Sequence, residues 1–166
     1  MDVTYEVEMA KRFTGITDET TLDFLIEGVI SKIERIIGYK LTRAEITEFI
    51  QGIDTNIVYL KRRPVESVSN VIWCGQNISF RQDEHRLILP AILCQSEYLE
   101  VTYVAGYIRL PLEIQMFIFS SIKESLANES GLKSFSLKDV SYTYFDKLQQ
   151  SENFRRGIID LFGVRV

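Results

Sequence analysis

The stretch Glu97-Tyr-Leu-Glu-Val-Thr-Tyr-Val-Ala-Gly-Tyr-Ile-Arg-Leu-Pro-Leu112 joins the clearest strand pattern of the chain to its most apolar helix pattern. Apolar and polar side chains alternate over residues 99–103, which predicts a strand with one buried face and one solvated face. Gly106 ends the alternation, and Pro111 lies where the first turn of a helix tolerates a missing N–H. The stretch therefore predicts a strand, a bend and a helix in direct succession.

Helical periodicity dominates both ends of the chain. Apolar residues recur at every third or fourth position over residues 18–37, with Gly38 directly after them, which predicts a long helix. We predict a shorter helix over residues 2–13 with Asp2 as its N-cap, a helix over 111–127 that is apolar on more than one side, and a short C-terminal helix over about 150–161. A helix with several apolar sides is covered by its own domain or by another subunit.

Between these helices the hydrophobic period changes to two, from about residue 44 to residue 104. Turn residues and prolines interrupt it often enough to predict one antiparallel sheet of about five or six strands. Residues 132–146 alternate as well, with Lys138-Asp139 as the turn of a predicted hairpin. The predicted fold is thus α+β: a helical core, an antiparallel β region near 44–104 and a hairpin near 132–146, in a single domain over residues 1–166.

The composition is that of an ordinary globular protein, with 46% hydrophobic and 25% charged residues among 166. A net charge of −4 argues against a free-standing nucleic-acid binder. No signal-peptide pattern and no apolar run of membrane-spanning length occur in the sequence, so we expect no membrane association. Glycine-rich phosphate loops, nucleophile elbows and zinc-protease motifs are missing from it too, which disfavours cofactor-dependent enzymes.

The residues left for catalysis are few. Two cysteines and one histidine do not suffice for a four-ligand zinc site, and we expect Cys74 and Cys94 to be reduced and mostly buried. His85 lies in a polar loop, where a solvated role is expected. We therefore predict no enzymatic activity and no cofactor. A small hydrolase or ligand-binding domain that uses the sheet face near Trp73, His85 and Tyr103 stays open as an alternative.

Two groups of charged residues have a second interpretation besides a solvated surface. The first is a basic run that is a candidate for phosphate contact, Lys61, Arg62 and Arg63. The second is an acidic row at successive i+4 positions of the helix over 18–37, Glu19, Asp23 and Glu27. A wall of carboxylates of this kind would repel DNA from the lining of a channel.

Four motifs occur in a fixed order along the chain: Ile37-Gly-Tyr-Lys-Leu41, Arg63-Pro-Val65, Val101-Thr-Tyr-Val-Ala-Gly-Tyr107 followed by Pro111, and Ser134-Phe-Ser-Leu-Lys-Asp-Val-Ser-Tyr142. In this order and spacing the chain resembles the head-tail connector (head-completion adaptor) proteins of tailed bacteriophages and prophages. The resemblance covers nearly the whole length of the chain.

The resemblance implies a structural virion protein without catalytic activity. Such proteins form a homo-oligomeric ring of about a dozen copies beneath the phage portal protein. The ring extends the DNA channel without sequence-specific DNA binding and carries a head-closure or tail protein. The implied location is the head-tail junction of the virion, after assembly in the host bacterial cytoplasm. A different neck or tail-completion protein stays open as an alternative.

On this resemblance two surfaces become candidate sites. The acidic row becomes a candidate channel lining. The predicted hairpin becomes a candidate interface with the portal or with an adjacent subunit, since its aromatic residues exceed what a monomer usually exposes. Its candidate interface residues are Ser136, Lys138, Asp139, Ser141, Tyr142, Tyr144 and Phe145.

Overall fold

In the part of the chain that the structure describes, the β-strands occupy one continuous segment between the second and third helices. The computed structural model describes residues 4–131 and 140–163. Within that part, residues 4–38 and 110–163 form a helical unit, and Tyr39–Arg109 form a β unit inserted into its sequence. The α+β class predicted from the sequence is confirmed. The assignment of residues 1–166 to a single connector-like domain stays a prediction.

The helical unit contains α1 (Val7–Thr14), α2 (Glu19–Ile37), α3 (Leu112–Gly131) and α4 (Val140–Phe162). The ends of α2 are those predicted from the sequence. The Asp18 carboxylate accepts a hydrogen bond from the Thr21 N–H at 2.8 Å, an N-cap of a kind worth about 1 kcal/mol, and Gly38 ends the helix at φ 80°. The buried apolar stripe of α2 consists of Leu22, Ile26, Val29, Ile30, Ile33 and Ile37.

The start of α1 differs from the prediction. The helix begins at Val7 rather than near Asp2, which lies outside the described residues. Glu6 holds the N-cap position, and no side-chain hydrogen bond caps the helix there. The apolar spacing of residues 3–13 also continues through the non-helical residues 4–6, so periodicity alone placed the start too early.

A buried glutamine fastens the N-terminal segment to the start of α3. The Gln115 side chain is 3% exposed; its Oε1 accepts the Glu6 N–H at 3.0 Å, and its Nε2 donates to the Leu110 carbonyl at 2.7 Å. The Leu110 N–H in turn donates to the Thr4 carbonyl at 3.1 Å. Both ends of the buried amide are therefore satisfied, as a buried polar group requires.

The hairpin predicted near 132–146 is wrong over the part that the structure describes. α4 begins at Val140, so residues 140–146 are helical rather than extended. The remaining hairpin residues, 132–139, lie outside the described residues. The strand-like alternation near Tyr142 competes with straight-chain helix formers in Lys147-Leu-Gln-Gln150, and extending a helix costs less than starting a new element. The C-terminal helix therefore starts at Val140, about ten residues earlier than predicted.

The β unit contains two antiparallel sheets rather than the single sheet that was predicted. The first has the order β1-β7-β3-β4, and the second has the order β2-β6-β5. The strands are β1 (Ala44–Gln51), β2 (Thr55–Tyr59), β3 (Val65–Trp73), β4 (Gln76–Asn77), β5 (Arg81–Asp83), β6 (Arg86–Leu93) and β7 (Tyr98–Ala105). The two sheets share one hydrophobic core, built from Val58, Leu60, Leu87, Leu89 and Leu93 together with Val71, Leu99, Val101, Tyr103 and Ala105.

The bend and helix predicted after β7 are confirmed. β7 ends at Ala105, and Gly106 has φ 105°, a conformation that side-chain-bearing residues rarely adopt. A Cβ atom at Gly106 would lie 2.5 Å from the Thr42 carbonyl oxygen, so glycine is also required by the close approach of the backbone. α3 then begins at Leu112, directly after Pro111.

We predict that Gly157→Ala in α4 destabilises the protein although alanine is the better helix former. A Cβ atom at Gly157 would lie 2.7 Å from Cε2 of Phe117, whose ring packs at 5.3 Å from that of Phe154. Overpacking of this kind costs about 1–3 kcal/mol, which exceeds the helix-propensity gain of about 0.5–1 kcal/mol. Urea unfolding followed by circular dichroism measures the difference.

Gly28→Ala in α2 is the matched control. Gly28 is exposed and a Cβ atom there meets nothing within 4 Å. Its free energy of unfolding should rise by about 0.5–1 kcal/mol. An equal rise in the free energy of unfolding for both variants would contradict the prediction, since it would show that the Phe117 ring moves aside without a loss of stability.

Candidate assembly surfaces

The acidic row of α2 is only partly free to act on solvent or on DNA. Glu19 and Glu27 are exposed, whereas Asp23 is partly buried. Lys11 Nζ lies 3.2 Å from Glu19 Oε2, and the Tyr5 hydroxyl donates a hydrogen bond to Asp23 Oδ1. The first two members of the row therefore join α2 to α1 and to the segment that precedes α1.

The surroundings of the Tyr5 hydroxyl keep it in its protonated form. Burial, and then the hydrogen bond to Asp23, raise the pKa of the Tyr5 hydroxyl above its usual value. The hydroxyl therefore keeps its proton and remains a donor.

Glu27 is the exposed member of the row whose carboxylate takes no part in these contacts. The role of the row as a channel lining stays a prediction, and Glu27 is its most direct test.

The basic run Lys61, Arg62 and Arg63 follows β2. Its central residue, Arg62, forms hydrogen bonds within the β unit. The Arg62 guanidinium donates a hydrogen bond to the Thr42 carbonyl, and its backbone N–H donates to the Tyr103 hydroxyl at 3.3 Å. Lys61 is exposed and Arg63 is partly buried. The phosphate contact of this run stays a prediction. Lys61 is the best candidate for it, because Lys61 is the only exposed residue of the three.

A partly buried hydrogen-bond network connects this run to the first sheet. The Tyr103 hydroxyl donates to Glu48 Oε2 at 2.8 Å, and the same carboxylate oxygen accepts the Lys61 N–H at 3.2 Å. Burial, and then the hydrogen bond to Glu48, raise the pKa of Tyr103. Since Glu48 belongs to β1 and Tyr103 to β7, the network ties the loop after β2 to both strands.

The residues considered for catalysis have separate partners. The His85 ring lies 5.8 Å from the Tyr59 ring and is partly buried rather than fully solvated; burial, and then the charge of Arg63, lower its pKa. Tyr103 is engaged with Glu48. Over residues 4–131 and 140–163, no group of three or more His, Cys, Asp or Glu side chains is placed to hold a metal ion.

The cysteines are exposed, which corrects the expectation of buried thiols. Cys74 and Cys94 are both free, and both lie in turns at strand ends, where side chains have few neighbours. The negative charge of Glu97, and then burial, raise the pKa of the Cys94 thiol. The strands predicted beside the cysteines are present, but Cys74 follows the last residue of β3 and Cys94 follows the last residue of β6.

The candidate interface residues of the predicted hairpin do not form a hairpin where the structure describes them. Ser141, Tyr142, Tyr144 and Phe145 belong to α4, whereas Ser136, Lys138 and Asp139 lie outside the described residues. Their assignment to an interface with the portal or a neighbouring subunit stays a prediction.

The sequence reasoning missed a set of large apolar side chains that project from the surface. Phe24 on α2 is 75% exposed, Phe49 on β1 is 70% exposed, and Ile53 and Tyr98 follow at 71% and 59%. Phe49 was detectable: Ile46 and Ile50 share the inward face of β1, so an aromatic residue at position 49 must point outward. Such side chains bind another protein where they form one contiguous patch, whereas single ones are common on the surface of any protein.

Comparison with solved structures finds chains of similar fold. One is from the neck of an empty gene transfer agent particle computed with C6 symmetry: it is 14% identical, with a TM-score of 0.53 over 82% of this chain and 85% of that chain. Another is from the neck of the native particle computed with C12 symmetry: it is 16% identical, with a TM-score of 0.50 over the same shares. A chain of the native virion is 12% identical, with a TM-score of 0.50 over 86% of this chain and 88% of that one.

The chain shares its fold with virion neck proteins. No family model and no curated protein matches the sequence, so the likeness rests on three-dimensional structure. In the described part of the chain, the helices are too short or too polar to traverse a lipid bilayer.

We predict that Tyr103→Phe lowers the free energy of unfolding by about 1–3 kcal/mol, because the partly buried Glu48 carboxylate and the Arg62 N–H each lose a partner. Tyr98→Phe is the matched control on the same strand, since Tyr98 is exposed and should change stability by less than about 0.5 kcal/mol. Urea unfolding monitored by circular dichroism compares the two variants. Equal stabilities would mean that water replaces the lost hydroxyl.

Proposed function

We propose that this protein is a structural component of the neck of a tailed-phage-like particle. In this proposal its copies form a ring that connects the head portal to the neck or tail and surrounds the DNA channel. The protein acts there after assembly in the host cytoplasm. It holds neighbouring proteins together and performs no chemical reaction.

The observation that carries the proposal is the extent of the fold likeness. It spans more than four fifths of this chain and of each similar neck or virion chain, so it includes both the helices and the β unit. The neck assemblies that hold those chains were computed with C6 and C12 symmetry. Head-to-tail contacts between identical copies close into rings of such symmetry, and this supports a ring for the present chain.

The surface of the chain also favours assembly. Phe24, Phe49 and Ile53 leave most of their apolar area exposed. Burial of each such side chain contributes about 1.5–3 kcal/mol, so contact with neighbours would stabilise an oligomer. They lie on a helix, a strand and a turn, which suits a subunit that contacts more than one neighbour.

A ring around DNA needs an inner surface that does not bind the phosphate backbone tightly. The net charge of −4 and the exposed Glu27 carboxylate are compatible with such a surface. We propose the acidic row as part of it. The portal protein on one side and a head-closure or tail protein on the other are the proposed partners.

We predict that the purified protein forms a closed species of about a dozen copies, alone or on its portal protein. Native mass spectrometry over a wide concentration range, with and without the portal, measures the copy number. A ring that does not bind the portal protein but binds a tail protein would indicate another neck component. A tight dimer that binds neither protein would contradict the proposed function.

We predict that Glu27→Lys leaves ring assembly intact but impairs DNA retention or ejection, because a ring of added cations attracts the phosphates of passing DNA. Glu27 is chosen over Glu19 and Asp23 because the latter two hold α1 and its preceding segment. Particle yield and packaged DNA are measured in particles complemented with each variant.

Two further variants make this test specific. Glu27→Gln removes the charge without reversing it and should have a smaller effect. Glu124→Lys reverses an exposed charge on α3 and should have none. Equal DNA retention by wild type and Glu27→Lys would remove Glu27 from the channel lining.

A further inference from the structure

The strands of the β unit bring three of its turns together at one end. β1, β3 and β6 all end there, at Gln51, Trp73 and Leu93. The Gly52 N–H donates to the Glu97 carbonyl at 3.0 Å, which joins the turn after β1 to the turn after β6. We call this end the tip; it comprises the turns 52–54, 74–75 and 94–97 and the strand residues beside them.

The opposite end of the β unit is built from the loops at the other ends of the same strands. β2 ends there at Tyr59, and the Leu60 N–H donates to the His85 carbonyl at 2.9 Å. The Arg62 guanidinium donates to the Thr42 carbonyl, so both sheets contribute to this end. We call it the base; it comprises residues 40–43, 59–63, 81–86 and 105–109. Strands of eight residues, about 26 Å long, separate the tip from the base.

Charge is distributed unevenly between the two ends. Residues 44–60, 64–80 and 87–108, which include the whole tip, contain neither lysine nor arginine. Every lysine and arginine of the β unit therefore belongs to the base. The tip carries the carboxylates of Asp54 and Glu97, and the negative charge of both raises the pKa of the Cys94 thiol between them in sequence.

The base also has cations that the fold does not neutralise. Arg43 and Arg86 have carboxylate partners. Lys61 and Arg81 are exposed, and neither pairs with a carboxylate in the part of the chain that the structure describes. The Tyr59 ring is mostly exposed too and adds apolar area at this end.

The tip is apolar as well as acidic. Phe49 and Tyr98 lie diagonally across β1 and β7 on the outer face of the sheet, and both rings are mostly exposed. Ile53, in the turn after β1, and Ile92, near the end of β6, are mostly exposed as well. A concentration of large apolar side chains at one end is typical of a surface that binds protein.

We propose that the tip of the β unit in one copy packs against the base of the β unit in a neighbouring copy of this chain. This inference rests on the proposed function, in which copies meet head to tail in a ring. The carboxylates of Asp54 and Glu97 then face the cations of Lys61 and Arg81. The apolar side chains of the tip pack around the exposed Tyr59 ring.

The charges of the two ends favour a head-to-tail contact over a symmetric one. An isologous contact would set two acidic tips or two basic bases against each other, and like charges across an interface are repulsive. A contact between tip and base is attractive, leaves one free end of each kind, and so repeats until the ring closes. In this arrangement Lys61 faces a neighbouring copy rather than DNA.

Charge reversal at the two ends tests the proposal. Ile53→Lys places a cation in the tip, and Lys61→Glu places a carboxylate in the base. Each substitution alone sets like charges against each other at every contact, so we expect a roughly tenfold rise in the concentration at which half of the oligomer dissociates. The Ile53→Lys, Lys61→Glu double variant restores opposite charges, and we expect it to dissociate within about threefold of the wild type. Sedimentation velocity at low salt, where screening is weak, measures these concentrations, with the portal protein present if the wild type requires it.

Three further variants make the test specific. Ile53→Glu removes the same apolar side chain as Ile53→Lys but keeps the charge of the tip, so it should weaken the oligomer less. Lys32→Glu reverses an exposed charge on α2; it should neither weaken the oligomer nor rescue Ile53→Lys. Arg81→Glu takes the place of Lys61→Glu if circular dichroism shows that the latter does not fold.

Native mass spectrometry of the wild type, alone and with the portal protein, separates this inference from the proposed function. If the wild type forms rings but the double variant is no more stable than the two single effects combined, the inference is overturned and the proposed function stands. If Ile53→Lys loses portal binding while its rings keep wild-type stability, the tip faces the portal rather than a second copy, which also overturns the inference. Absence of wild-type rings under both conditions overturns the proposed function.

Discussion

The pairing of β7 with strands on both of its sides is the constraint on which the β unit depends. β1 and β3 both align on β7, and the inward side chains of β7 contribute Leu99, Val101 and Tyr103 to the core that the two sheets share. Removal of this strand would leave β1 and β3 without a partner along most of their lengths. The Tyr103 hydroxyl adds a polar requirement to the apolar one, since it connects β7 to Glu48 on β1. The helical unit has a comparable anchor in the buried Gln115 amide.

Much of this architecture was predictable because it rests on local rules. The limits of α2 follow from Asp18 and Gly38, and the transition from β7 to α3 follows from alternation, Gly106 and Pro111. The division of the strands into two sheets was not predictable, because pairing partners depend on contacts between residues distant in sequence. The strand prediction near Tyr142 was wrong for a related reason. The alternation there indicated a strand, but the helix-forming residues that follow favour the helix that the chain forms.

The candidate sites show where sequence reasoning about function reaches its limit. Charge spacing identified the row Glu19, Asp23 and Glu27 correctly as one side of a helix. It gave no sign that Tyr5 and Lys11 engage two of the three carboxylates, because these partners come from a different element. The same holds for Arg62, whose guanidinium serves the fold. Contacts that only the folded chain reveals therefore decide which strongly charged side chains are engaged within the fold.

The two ends of the β unit are fastened to each other. The Tyr107 N–H donates to the Leu41 carbonyl at 2.7 Å, and the Arg43 N–H donates to the Tyr107 carbonyl at 3.0 Å. An insertion whose ends meet imposes little loop-closure cost on the sequence that flanks it. The β unit therefore has the properties of an exchangeable cassette: during evolution it can be enlarged, reduced or replaced while α2 and α3 keep their own sequence rules. Selection could in this way alter the β unit and leave the helical unit unchanged.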